Sequence, residues 1–182
     1  MKPFLIITLL LSFCLGNAQK FNQEIELENG KKFLIGKINL EGLSAEPYNI
    51  WFQSGEKAYA IDEALVKKLE EPLSDYHIKL FLGTWCGDSK REVPRLVKIL
   101  KAANFPMENL DIVALDRRKE HYKKSPTGEE RGLNIIKVPT IIFMKQGKET
   151  NRIVESPIES LEEDIAQIVF EKPYTPNYAS MH

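Results

Sequence analysis

Cys86 stands in the stretch Trp85-Cys86-Gly87-Asp88-Ser89. Before it lies an apolar run, Ile78-Lys79-Leu80-Phe81-Leu82-Gly83, and after it Val93, Leu96, Val97 and Leu100 recur at helical spacing. A cysteine at such a strand-to-helix junction meets backbone N–H groups that have no intrahelical partner. Those groups, with the positive end of the helix dipole, favour the thiolate, which is the nucleophilic form. The position three residues on, where a second cysteine would complete a C-x-x-C redox pair, is Ser89. Its hydroxyl is expected to donate to the sulfur, but it cannot attack and release a bound substrate. A mixed disulfide at Cys86 must then be opened by an outside thiol: a small molecule such as glutathione, a partner protein, or a second cysteine of the substrate. Asp88 opposes activation, because a nearby negative charge favours the neutral thiol, whereas Lys90 and Arg91 offset it. The expectation is a moderately activated thiol; the alternative is a buried, inert one.

Elements that would hold this cysteine are legible on both sides. Residues 20–61 read as β structure: Glu24-Ile25-Glu26-Leu27 alternates, Asn29-Gly30 is a hairpin turn, and Lys32 to Ile38 returns. A second strand pair is expected over Tyr48 to Phe52 and Ala58 to Ile61. Asp62 is a candidate N-cap for a short helix through about Glu70, ended before Pro72. Strand and helix then alternate. Ile78–Gly83 reads as a strand, Cys86–Ala103 as a helix, and Leu110–Asp116 as a strand. Residues 117–132 are charged and poorly periodic, and Asp116-Arg117-Arg118-Lys119-Glu120 reads as a solvated loop or a basic rim for an anionic thiol. Thr140–Met144 and Arg152–Glu155 read as strands. The last helix is expected to open on a capping box, Ser156-Pro157-Ile158-Glu159, and the tail from Pro173 is expected to be loose.

Composition limits the function classes. The chain has 182 residues, 43% of them hydrophobic and 28% charged, with a formal net charge of −1. That balance suits one globular domain and gives no basic surface for nucleic acid. His77, His121 and His182 show no metal-ligand spacing. Trp51, Phe52 and Tyr48 read as core rather than as a ligand box.

The N-terminus differs from the rest. Lys2 precedes an apolar run from Phe4 to Leu15, and Gly16-Asn17-Ala18 supplies the small residues of a cleavage site. This is the pattern of a secretory signal, with cleavage expected after Ala18; an uncleaved anchor and, more weakly, lipidation at Cys14 are the alternatives. Cleavage would remove Cys14 and leave Cys86 as the only cysteine. The expected location is exported, periplasmic or secreted, in a bacterial envelope rather than a eukaryotic secretory pathway, with no membrane span after cleavage.

From about residue 57 to 171 the chain resembles the thioredoxin family, as a single-cysteine C-x-x-S variant. Trp85-Cys86-Gly87 matches the start of that family's active-site motif, Lys90 and Pro94 fall at the matching positions of the helix, and Lys137-Val138-Pro139-Thr140, followed by Ile141-Ile142-Phe143 and Gly147, resembles its cis-proline strand and turn. Three positions depart: Ser89 replaces the resolving cysteine, Asp88 stands in place of proline, and Leu80 stands where many members bury an aspartate that serves the resolving thiol.

The resemblance implies an α/β thioredoxin-like fold, a central mixed sheet flanked by helices, with an N-terminal β-hairpin extension. The expected organisation is a signal peptide over 1–18, a β-rich extension over 19–56, a thioredoxin-like domain over 57–171 and a loose tail over 172–182. The implied activity is thiol–disulfide exchange, with Cys86 as nucleophile, Ser89 polarising it, and Trp85, Gly87, Asp88, Val138 and Pro139 forming the substrate surface. Pro139 is expected to be cis, with the Val138 backbone facing the sulfur; the alternative is a proline that merely begins a strand. The implied partners are a protein or small-molecule thiol or disulfide and an external reductant, with no bound cofactor and no metal. Two other readings stay open: a redox-inactive module that binds extended peptides, and a structural role in which Cys86 bonds permanently to another chain.

Overall fold

The computed structural model describes residues 20–181. The expected signal segment and its cleavage site lie outside the described residues, as do Cys14 and His182.

A six-stranded mixed sheet organises the chain. Its strands are β1 (Gln23–Glu26), β2 (Lys32–Ile38), β3 (Tyr76–Leu82), β4 (Leu110–Ala114), β5 (Thr140–Lys145) and β6 (Lys148–Val154), in the spatial order β1-β2-β4-β3-β5-β6. β3 and β4 run parallel and every other pairing is antiparallel. Among the described residues, five α-helices complete it: α1 (Leu40–Ser44), α2 (Asn49–Ala58), α3 (Glu63–Leu73), α4 (Gly87–Ala102) and α5 (Leu161–Val169). The β3-α4-β4 unit, continued by the β5-β6 hairpin and α5, is a thioredoxin-like fold. The β1-β2 hairpin extends the same sheet beyond β4, through Gly36–Ile38 paired with Ile112–Ala114.

Strand alternation sorts the apolar residues onto two faces. Ile78, Leu80 and Leu82 of β3, Ile112 and Ala114 of β4, and Ile141 and Phe143 of β5 join the large core, which also takes the buried faces of all five helices. Phe81, Val113, Leu115, Val138 and Ile142 point the other way and form a second core, with Trp85, Cys86, Leu133, Ile135 and Met144 packed against it. Each fully buried side chain of this size contributes about 1.5–3 kcal/mol. Because both faces are covered, β3 reads as a nearly unbroken apolar run.

Four local expectations are corrected. Tyr48–Phe52 is not a strand but the start of α2, and Ala58–Ile61 forms no strand either, so the segment expected to be β-rich over 19–56 is a hairpin followed by two helices. Tyr48 and Phe52, four residues apart, are buried, while Ile50 between them is 74% exposed. That spacing is one helical turn. Helix α3 runs past Glu70 to Leu73 with Pro72 inside its last turn, where buried Leu73 holds the end in place. The last helix is capped by Ser160, whose hydroxyl accepts from Glu163 N–H, not by Ser156. Residues Ile158 and Glu159 instead donate their N–H groups to the Asp164 carboxylate, which fixes them ahead of the helix.

The tail, finally, is tied down. Tyr174 donates to Asp164 at 2.7 Å and its carbonyl accepts from Asn151 Nδ2 at 3.1 Å. Asn177 Nδ2 reaches the Ser156 carbonyl at 2.9 Å, and the Tyr178 hydroxyl donates to Glu155.

Candidate active site

Cys86 is placed by two turns of backbone. β3 ends at Leu82, and the Cys86 N–H closes on the Gly83 carbonyl at 2.8 Å. Cys86 itself is the N-cap of α4, with extended backbone (φ −89°, ψ 133°), and its carbonyl accepts the first helical bond from Lys90 N–H at 3.1 Å. Buried Thr84 fixes the turn to the hairpin by accepting from Leu34 N–H at 3.0 Å. The sulfur thus sits at the dipole-positive end of a sixteen-residue helix.

Across from it lies the loop before β5. The Val138–Pro139 peptide bond is cis. The Cys86 thiol donates to the Val138 carbonyl at 3.3 Å, and its sulfur lies 3.9 Å from Asp88 Oδ2. Cys86 is a free, half-buried thiol. The loop is itself held: Thr140 Oγ1 donates to the Lys137 carbonyl at 2.8 Å, and the Pro139 carbonyl accepts from Glu155 N–H at 2.7 Å.

Trp85 leans over the second core and donates its indole N–H to the Leu115 carbonyl at 2.9 Å. Its ring meets that of Tyr122 at 5.8 Å between centroids. The indole needs Gly83 beneath it, because a Cβ there would lie 2.7 Å from the ring. Gly87, the first helical residue, has open space where a side chain would be. Asp88 pairs with Arg91 at 2.9 Å, which partly neutralises the carboxylate nearest the sulfur.

Ser89 takes a different place from the expected one. It is fully buried, and its hydroxyl accepts from Gly83 N–H at 3.1 Å. The hydroxyl therefore ties the start of α4 to the end of β3, while the thiol's own partners are Val138 and Asp88. The expected site residues thus divide: Cys86 meets Val138 and Asp88, Trp85 packs with Cys86 and Val138 on the second core, and Ser89 is turned to Gly83 instead.

Other charged groups complete the surroundings. Glu92, one helical turn beyond Asp88, is 2% exposed and is held by Arg91 Nε at 2.5 Å and Arg95 at 3.4 Å. Glu92, Pro139 and Glu155 line a narrow crevice with no room for a water molecule. Lys137 pairs with Glu155 at 3.0 Å and stacks on the Tyr178 ring at 4.7 Å. Burial raises the Glu155 carboxyl, but the Tyr178 hydroxyl and the Lys137 and Lys123 cations outweigh it and hold Glu155 below the usual carboxylate range. Lys137 is raised above its ordinary value by the same Glu155 and Tyr178 contacts. Lys123 donates its ammonium to the Ile136 carbonyl; burial, and then the Lys137 cation, push it below the usual lysine value.

Asp116, expected in a solvated loop, is 2% exposed. It takes Arg118 in a two-pronged contact at 2.6 and 3.0 Å and exchanges backbone bonds with residues 123 and 124, which closes the loop over 116–124. Little in the sequence announced that Tyr122 packs on Trp85, or that Lys123, Glu155 and Tyr178 gather around the cis-proline loop. Only Lys137 had a signal, its place beside Val138-Pro139.

Among the described residues, no group of three or more His, Cys, Asp or Glu is placed to hold a metal ion, and no helix is long and apolar enough to cross a membrane. No family model matches the chain and no curated protein matches it. Solved structures resemble it at low identity. A protein of unknown function from Pseudomonas aeruginosa is 15% identical over 68% of this chain and 70% of that one, with a TM-score of 0.42. Thioredoxin O2 from Arabidopsis thaliana is 19% identical over 58% of this chain and 84% of its own, with a TM-score of 0.38. The thioredoxin of Fasciola hepatica is 20% identical over 57% and 90%, with a TM-score of 0.36.

Proposed function

We propose that this chain is an exported, single-cysteine thiol–disulfide exchange protein. The observation that carries the reading is the position of the Cys86 sulfur, on the amino end of α4 and 3.3 Å from the Val138 carbonyl beside a cis proline. Cys86 is half-buried and its sulfur is bounded by the Val138 backbone, so an incoming disulfide would approach from the remaining exposed side of the residue.

The step balances as an exchange. The Cys86 thiolate attacks one sulfur of a disulfide; a new Cys86–sulfur bond forms, the old sulfur–sulfur bond breaks, and the second substrate sulfur leaves as a thiolate that takes a proton from water. An external thiol then attacks the mixed disulfide. Cys86 leaves as thiolate, and the external thiol keeps the bond to the substrate. The number of disulfides is then unchanged: the external thiol has been oxidised into a mixed disulfide and the leaving substrate sulfur reduced to a thiol, and a second equivalent of external thiol completes the reduction. An extended substrate segment is held by pairing with the loop at Val138, in the manner of an added strand, and the exposed part of Trp85 offers it apolar surface. Export rests on the signal-like residues 1–18.

The test is direct. The chain from residue 20 is mixed with oxidised glutathione, and adduct formation at Cys86 is followed by intact mass, then reversed with reduced glutathione. The expected result is an adduct that forms and is released within minutes and is absent in Cys86→Ser. A sulfur that forms no adduct over hours at neutral pH would overturn the proposal.

A further inference from the structure

The ionised sulfur needs a counter-charge, and three observations locate one. First, Lys123 occupies left-handed backbone (φ +58°), a conformation uncommon outside glycine, asparagine and aspartate. It follows the closure of the 116–124 loop by Asp116, whose carbonyl accepts from Lys123 N–H at 2.9 Å. Second, the lysine stem carries its ammonium to the Ile136 carbonyl, two residues before the Val138 carbonyl that accepts from Cys86. Its neighbour Tyr122 packs on Trp85, next to the cysteine. The loop and the cis-proline segment are thus joined through this side chain, two residues before the carbonyl that accepts from the sulfur. Third, the charges around it do not balance while the thiol is neutral. Lys123 and Lys137 are cations and Glu155 is their anion, which leaves one positive charge in excess. Ionisation of Cys86 removes that excess.

We propose that Lys123 is the positioning residue for the Cys86 thiolate: its ammonium, held at the Ile136 carbonyl, stabilises the negative sulfur during exchange.

This rests on the exchange reading above and adds a residue to it. The charged and titratable groups that face the cluster are Asp88 from α4, Lys137 from the cis-proline loop, Glu155 from the end of β6 and Tyr178 from the tail. Asp88 opposes the effect and is itself paired with Arg91. Tyr178 and Lys137 bond directly to Glu155, whereas Lys123 bonds to the uncharged Ile136 carbonyl and acts on both Glu155 and Cys86 through its charge. Burial and then the Lys137 cation lower the affinity of Lys123 for its proton, while Glu155 and then an anionic Cys86 raise it.

The experiment compares Lys123→Gln with Lys123→Arg in the chain from residue 20, reading alkylation of Cys86 by iodoacetamide against pH. Glutamine keeps an N–H donor for the Ile136 carbonyl and removes only the charge. The expected result is an alkylation rate about five- to tenfold lower at pH 7 in Lys123→Gln, as loss of one partly screened charge at this range implies. The variant reaches the wild-type rate only at higher pH, and Lys123→Arg restores it to within about twofold. Denaturant midpoints taken alongside separate a charge effect from a folding defect. If Lys123→Gln is folded and its rate–pH curve overlays that of the wild type, or if Lys123→Arg is as slow as Lys123→Gln, the proposal fails. Alkylation needs no disulfide substrate, so these outcomes are distinct from failure of the exchange reading, which is judged by the glutathione adduct.

Discussion

Cys86 and Val138 meet across 52 positions of sequence, sulfur to carbonyl oxygen, at 3.3 Å. The carbonyl accepts from the protonated sulfur only. Together with Asp88 Oδ2 at 3.9 Å, it surrounds the thiol with acceptors, while the N-terminus of α4 supplies the opposing field. The reactivity of the sulfur is set by this competition, and single charges next to it are the terms open to measurement.

Asp88→Asn removes the anionic acceptor and keeps the size of the side chain. Its alkylation rate at pH 7 is expected to rise about two- to fivefold, a smaller effect than a full buried charge because Arg91 already screens the carboxylate. A rate equal to or below that of the wild type would show that Asp88 does not act on the sulfur.

Ser89→Ala is expected to alter stability rather than chemistry. The fully buried Gly83 N–H loses its acceptor at 3.1 Å, which costs about 1–3 kcal/mol in a denaturant titration. Glutathione adduct formation at Cys86 should stay within about twofold. A large loss of exchange with unchanged stability would return Ser89 to the role that the motif suggested.

Gly55→Ala tests the helix contact behind the site. In an ordinary helix interior this change is worth about 1 kcal/mol in favour of alanine. Here the new Cβ would lie 2.5 Å from Cγ of Pro94, a ring with little room to give, in the helix that carries Cys86. Overpacking of that kind costs about 1–3 kcal/mol, so the sign reverses and the variant is expected to unfold at lower denaturant. An unchanged or higher midpoint would mean that α2 slides away without cost.

Acid should release the tail. Glu155 is held below the usual carboxylate value, so its contribution is complete above the unfolded value of about 4.3 and is lost as pH falls through the lower folded value. Tyr178→Phe removes the hydroxyl that donates to Glu155 and is expected to lower the denaturant midpoint at pH 7 by a small, measurable amount. The gap from the wild type should close toward pH 3. A gap that is constant with pH would assign the loss to packing of the ring instead.

The parts of this molecule that show in its sequence are those set by neighbours in the chain. Asn29-Gly30 marks the hairpin because Gly30 takes φ +74°, and β3, β4 and β5 show as apolar runs because they are covered on both faces. Trp85-Cys86 and Val138-Pro139 each show as a short motif, and only their spacing across the fold is new. The α2 segment misleads because Tyr48, Trp51 and Phe52 are as suited to a strand as to a helix, and the deciding fact is the exposure of Ile50. Ser89 misleads because its type suits either a sulfur or a backbone partner, and burial chooses the backbone. Lys123 and Tyr178 carry no local sign, since one reaches the Ile136 carbonyl from a left-handed position in an irregular loop and the other returns from the end of the chain.

The sheet's two outer margins are finished differently. At one, β1 is four residues long and presents Glu24 and Glu26, with Lys32 of β2 spanning them. At the other, Asn151 of β6 is bridged to the returning backbone at Tyr174. A short acidic rim and a folded-back strap each discourage another backbone from zipping onto this sheet. On the proposed exchange reading, an extended polypeptide is thereby left the side of the fold where Cys86 meets Val138 rather than the sheet's flanks.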